Sequence, residues 1–154
     1  MNKKSVSLVI LISGILTLFI AAGIYAGTDV ADVIKMENPK YKEARKKGHS
    51  KGIVEFTHKK HNVDYGIACG ECHHDDAGKP LDLKMGDDVQ GCGTCHSEFG
   101  KLAKADKKMK KADKIKKYHE KAIHANCIDC HKKKENKAKK APSKCKDCHP
   151  KKKK

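Results

Sequence analysis

Hydrophobic residues crowd into one end of this chain and thin out after it. Residues 6–25 are apolar apart from Ser13, Gly14, Thr17 and Gly23, and Lys3 and Lys4 precede them. A short positive region, an apolar run and small residues around Ala26 predict an export signal over residues 1–26. The run also approaches the roughly 20 residues of a membrane span, so retention as an uncleaved anchor is the alternative. No basic stop-transfer cluster follows, which favours cleavage after Ala26 and leaves a domain at 27–154.

Within that domain the pattern predicts few regular elements. Residues 30–36 and 52–56 have strand-like composition and are expected to pair as a short N-terminal β-ribbon. Asn38-Pro39 starts a turn, and residues 40–47 form one or two helical turns. Thr57 is the expected N-cap of a short helix carrying His58 and His61. Residues 75–91, rich in Asp and Gly, read as loop. Leu102, Ala105, Met109, Ala112, Ile115, Tyr118 and Ile123 recur at steps of three to five, which predicts one long helix, capped at Ser97 or an early turn residue. Residues 132–144 read as a charged loop.

Cysteine spacing changes the picture. The chain spells Cys-x-x-Cys-His four times, at Cys69/Cys72/His73, Cys92/Cys95/His96, Cys127/Cys130/His131 and Cys145/Cys148/His149, and these motifs use all eight cysteines. Each is the attachment signature of a c-type haem. Two thiols one helical turn apart can form thioethers to the two vinyl groups of one porphyrin, and the next residue can bring its imidazole to the iron. Zinc sites built from two Cys pairs, or a disulfide framework, use similar spacings. Neither explains a His after every second Cys. The motifs start 23, 35 and 18 residues apart, so no solenoid period exists.

Haem also answers a problem of composition. The chain has no Trp, and the domain's phenylalanines are Phe56 and Phe99. So few large apolar side chains do not make an ordinary core. Four porphyrins supply large apolar discs, and the polypeptide is expected to wrap them with little secondary structure. Folding should then depend on haem, as it depends on metal in small metalloproteins. Haem attachment needs reduced thiols on a translocated, unfolded chain, which agrees with export to the periplasm.

Charge is divided unevenly. Residues 27–100 carry eleven Lys or Arg against thirteen Asp or Glu, a balance of −2; residues 101–154 carry 22 Lys against six acids, a balance of +16. That half is either a solubilising surface or a positive face that steers acidic partners. Nucleic acid is excluded as partner: the compartment is wrong, there is one Arg, and no aromatic residues interleave the lysines.

Four irons need four further axial ligands. Beyond the motif histidines the chain offers His49, His58, His61, His74, His119 and His124, with Met36, Met85 and Met109 as thioether alternatives. A second His gives a low-potential electron-transfer haem, whereas Met raises the potential. His74 follows His73 directly, so their side chains can leave toward two neighbouring irons. His58 and His61 share a helix face and can reach two porphyrins.

At these residues the chain resembles class III cytochrome c, the tetrahaem cytochrome c3 type. The resemblance spans roughly residues 30–150 and rests on Phe56-Thr57-His58-Lys59-Lys60-His61, Cys69-Gly70-Glu71-Cys72-His73-His74 and three further motifs. Numbering haems by motif, it implies that His58 ligates haem 1, His74 haem 2, His61 haem 3 and His124 haem 4, with Phe56 packed on haem. His119 competes with His124, which is preferred because it lies three residues before Cys127. His49 has no counterpart and is expected to be a loop residue. Many members have four residues between the cysteines of the second and fourth motifs; here both have two.

The expected fold is a small multihaem cytochrome, mainly α with much irregular structure. The expected cofactors are four covalent haems held by Cys69, Cys72, Cys92, Cys95, Cys127, Cys130, Cys145 and Cys148, with iron ligated by His58, His61, His73, His74, His96, His124, His131 and His149. The expected role is not enzymatic. The resemblance implies a monomeric periplasmic electron carrier in anaerobic, sulfate- or metal-reducing metabolism. It would link acidic partners such as hydrogenase or formate dehydrogenase to membrane multihaem complexes. A terminal reductase of metal ions or sulfur species, or a membrane-tethered haem subunit, is the alternative.

Overall fold

The computed structural model describes residues 30–46, 48–133 and 141–151. The export signal over 1–26 and most of the charged loop over 132–144 lie outside the described residues.

Strand β1 (Ile34–Lys35) pairs antiparallel with β2 (Glu55–Phe56), Ile34 opposite Phe56 and Lys35 opposite Glu55. The Met36 N–H extends the ribbon to the Val54 carbonyl at 2.9 Å. This is the ribbon that the two strand-like segments predict. Between them, Asn38 Oδ1 accepts the Lys40 N–H at 3.0 Å and Pro39 supplies a helix-ready φ of −59°, so helix α1 (Lys40–Ala44) starts where the Asn-Pro turn was expected.

Residues after Thr57 form the expected helical segment, but its cap differs. The Thr57 carbonyl accepts the His61 N–H at 3.1 Å, and the turn then widens to a π-helical one (Lys60–Asp64), closed by Tyr65 N–H to Lys60 carbonyl at 3.0 Å. The haem motifs begin as single turns: 3₁₀ at Cys69–Glu71 and Cys92–Thr94, α-helical at Cys145–Cys148 (helix α4).

The one long helix expected from Leu102 to Ile123 is instead three pieces. They are a 3₁₀ turn (Ala105–Lys108), α2 (Lys111–Lys117) and α3 (His119–Lys133), with α2 packed against α3. The break at Tyr118 has a tertiary cause. A continuous helix would give the Lys117 carbonyl to Lys121 and the His119 N–H to Ile115. Both go to Glu98 instead, each at 3.1 Å, in a parallel bridge. The Tyr118 hydroxyl donates to Asp106 Oδ2 at 2.5 Å and accepts the Ala103 N–H at 3.1 Å, which pins the ring inward. Beyond the break the helix runs past the expected end and carries the third motif.

Among the described residues, the buried apolar side chains are Tyr41, Phe99, Tyr118 and Ala122, at 3–8% exposure, joined by His119 at 8%. That is far too little to hold a domain of this size, as the composition implied. Phe99 stands edge-on to Tyr41 (ring centroids 5.1 Å) and stacks on His119 (4.5 Å). Arg45, the one arginine, closes this cluster. It donates to the Phe99 and Gly100 carbonyls at 2.9 and 3.0 Å and pairs with Glu120 at 2.6 Å. His49 is a loop residue, as expected, with its ring 4.4 Å from Tyr41.

Candidate haem centres

The motif turns set the reach of each Cys-x-x-Cys-His. In the first, second and fourth, the His N–H bonds back to the carbonyl of the first Cys, at 2.9, 3.0 and 2.8 Å for His73, His96 and His149. This one-turn geometry puts both thiols and the imidazole on one side of the backbone. All eight cysteines are free thiols. Burial first, then Cys72, Cys148, Cys92 and Cys130, pushes the Cys127 thiol up to about 11. Burial also raises Cys72, Cys92 and Cys148. Burial therefore keeps one thiol of each motif protonated at neutral pH.

The histidines come in facing pairs. Ring centroids lie 6.5 Å apart for His58 and His73, 5.9 Å for His74 and His96, 6.2 Å for His61 and His131, and 6.1 Å for His124 and His149. Each pair joins one motif His to one His from elsewhere. Two imidazoles on opposite sides of one metal ion, with bonds of about 2 Å and ring centres about 1.1 Å behind each nitrogen, stand about 6.2 Å apart. The spacing therefore fits an axial pair across a porphyrin iron. Among the described residues no three His, Cys, Asp or Glu side chains gather as a bare metal site would require.

Backbone carbonyls set the tautomers. His61 Nδ1 donates to the Thr57 carbonyl at 2.8 Å, His74 to Asp75 at 2.7 Å and His96 to Lys116 at 2.9 Å. His131 donates to Pro142 at 2.6 Å and His149 to Gly52 at 2.8 Å. A carbonyl only accepts, so Nδ1 carries the hydrogen and Nε2 keeps its lone pair for a metal. His58 Nδ1 is buried with no partner among the described residues. Burial first, then His58 and His74, lowers the pKa of His73, which keeps that ring neutral and ligand-competent.

The neighbours diverge as their spacing predicts: His73 faces His58, while His74 faces His96. His58 and His61, on one helical turn, serve different partners, and Phe56 packs on both (ring centroids 5.9 and 4.7 Å). His124 lies in an open groove between α2 and α3, beside Lys111, Lys114, Ile115 and Ile128. Its rival His119 makes its ring contacts with Tyr41 and Phe99 rather than with a motif histidine. It sits in the aromatic cluster with Nδ1 3.0 Å from the Tyr41 hydroxyl. Burial, then His96 and His49, brings its pKa down to about 4.

Glycine is required inside the second motif by contact. A Cβ on Gly93 would lie 2.9 Å from Phe99 Cζ and 3.3 Å from Asn38 Nδ2. The aromatic cluster is therefore seated directly on the second motif. Sequence reasoning missed this cluster, the Arg45 clamp and the carbonyl partners, because none has a spacing signature. Among the described residues no helix is long and apolar enough to cross a membrane.

A family model, class III cytochrome C, matches residues 32–149. Searches of curated proteins and of solved structures return no match.

Proposed function

The chain belongs to the class III cytochrome c family, whose members are multihaem electron-transfer proteins, and from that premise we propose a low-potential tetrahaem carrier of the periplasm. The observation that carries this reading is the set of four facing imidazole pairs, one for each Cys-x-x-Cys-His motif.

The cysteines of the four motifs would hold the porphyrins through thioethers to their vinyl groups. The residues that would hold the irons are His58 with His73, His74 with His96, His61 with His131, and His124 with His149. Bound haem supplies one-electron chemistry at iron. Two imidazoles on each iron would leave no position for substrate, which suits electron transfer without bond making, and His in place of Met would keep the potentials low. His73 beside His74, and His58 beside His61, hold neighbouring sites close. The lysine-rich half, including Lys111, Lys114 and Lys121 around the His124 groove, suits docking of acidic redox proteins such as a hydrogenase or formate dehydrogenase.

Mass spectrometry and magnetic spectroscopy of the exported protein test the reading together. Four added haem masses and four low-spin irons are expected. Three or fewer haems, or a reduced native protein that binds carbon monoxide, would replace it with a reductase carrying an open iron.

A further inference from the structure

His74 leaves the chain at the start of a tight turn that one side chain builds. Asp75 Oδ1 accepts the Ala77 N–H at 3.0 Å and the Lys79 N–H at 2.8 Å. The Asp75 N–H donates to the Lys79 carbonyl at 2.9 Å, and its carbonyl accepts the Gly78 N–H at 3.0 Å, with Gly78 in the left-handed region at φ +85°. That same carbonyl oxygen accepts His74 Nδ1–H at 2.7 Å. Residues 76–80 are all exposed, and the base of the turn is closed by the His74–Pro80 bridge and by Leu81 N–H to the His73 carbonyl at 3.0 Å. The only side chain bonded into the turn itself, among the described residues, is that of Asp75. The other carbonyls that receive a histidine Nδ1 differ in setting. Thr57 and Lys116 lie in helical turns, and Gly52 lies in close contact with Pro150. The Pro142 carbonyl, acceptor of His131, also receives Cys148 Sγ at 3.8 Å, whereas at His74 a side chain folds the very turn that carries the acceptor.

We propose that Asp75 is the positioning residue of the second haem: its carboxylate folds the 75–79 turn so that its own carbonyl orients His74 and tunes the electron donation of that ligand. The proposal rests on the reading of His74 and His96 as one axial pair. A hydrogen bond from Nδ1 raises the basicity of an imidazole ligand. A more basic ligand stabilises ferric iron, so the bond lowers the potential of this haem. The negative charge of Asp75 acts in the same direction through space, and the test must separate the two.

Asn keeps an oxygen at the same place to accept both N–H groups while removing the charge, Ser accepts more weakly, and Ala accepts nothing. Asp75→Asn, Asp75→Ser and Asp75→Ala would be compared with wild type as full haem-loaded chains, by NMR redox titration resolved to single haems and by exchange of the His74 Nδ1–H. In Asp75→Ala one haem should become on the order of tenfold easier to reduce, about 59 mV for one electron, while the other three stay in place. The His74 Nδ1–H should lose its protection. Asp75→Asn should keep that protection and shift less, with Asp75→Ser between them. Equal shifts in Asn and Ala would reduce the effect to charge and overturn the proposal, as would a protected His74 Nδ1–H in Asp75→Ala. If Asp75→Ala fails to mature, Asp75→Ser against Asp75→Asn decides by the same two criteria. His74 ring signals without ligand-type shifts in the wild type would show instead that the axial pairing is wrong.

Discussion

His119 and His124 sit five residues apart on one helix yet have opposite surroundings. His124 faces the motif histidine His149, whereas His119 is buried against Phe99 and bonded to Tyr41. His124→Met should therefore raise the potential of one haem, while His119→Gln leaves all four potentials near their wild-type values; haem-resolved titration checks both. His119 carries a different consequence. Its folded pKa of about 4 lies below the ordinary 6.5, so between those values the unfolded chain binds a proton that the folded chain does not. Stability therefore rises with pH across that window and is lost as pH falls from 6.5 toward 4, by about 2 kcal/mol. Denaturant unfolding of the haem-loaded protein at pH 4.5 and 7 should show this difference, and His119→Gln should shrink it.

At the scale of elements, Arg45 joins α1, the 99–100 loop and α3 through three acceptors. Its side chain is 13% exposed, so truncation strands the two carbonyls it caps, while the Glu120 carboxylate, 37% exposed, loses its cation but keeps access to water. Arg45→Ala should cost about 2–4 kcal/mol and Arg45→Lys nearly as much, because Lys lacks the planar fork. The measure is the denaturation midpoint, with haem content unchanged. The second motif is equally sensitive. Gly93→Ala drives a Cβ into Phe99 and should cost about 1–3 kcal/mol by the same assay. The helices teach a related lesson. Apolar spacing over 102–123 was legible as helix, and helix is what most of it forms. The break at Tyr118 was not legible, because it depends on Glu98, twenty residues earlier, taking two backbone bonds from the helix.

Across the whole molecule, residues 27–100 balance to −2 and residues 101–154 to +16, so the net positive charge is carried by one half of the sequence. Four haems with ionised propionates would remove about one charge each and leave the second half positive. Electron exchange with an acidic partner should be fast at low salt and slow by roughly 10–1,000-fold as screening rises, the Debye length being about 10 Å at 0.1 M. The lysines flanking the last motif, Lys139, Lys140, Lys144, Lys146 and Lys151, are those expected to matter; the first two lie outside the described residues. Stopped-flow mixing of hydrogenase with a Lys144→Glu, Lys146→Glu, Lys151→Glu variant should show slower association and an unchanged haem spectrum. Indifference to both salt and charge reversal would leave the lysines as a solubilising surface.

The attachment chemistry was readable from the chain alone, since Cys-x-x-Cys-His is a local pattern: three residues set the reach of two thiols and one imidazole. The N-terminal ribbon was readable too, because strand composition and the Asn-Pro turn lie within about twenty residues of each other. The partner of each motif histidine is a different matter. His61 meets His131 and His124 meets His149 only after the backbone has turned several times, and local spacing does not encode such encounters. The resemblance supplied those pairings as expectations, and in the folded chain the centroids of those rings lie 6.2 and 6.1 Å apart. What the tertiary structure alone decided is the surroundings of those rings. The carbonyls of Thr57, Asp75, Lys116, Pro142 and Gly52 select the tautomers, and the Tyr41–Phe99 cluster buries His119, because backbone direction and burial arise only when distant segments pack.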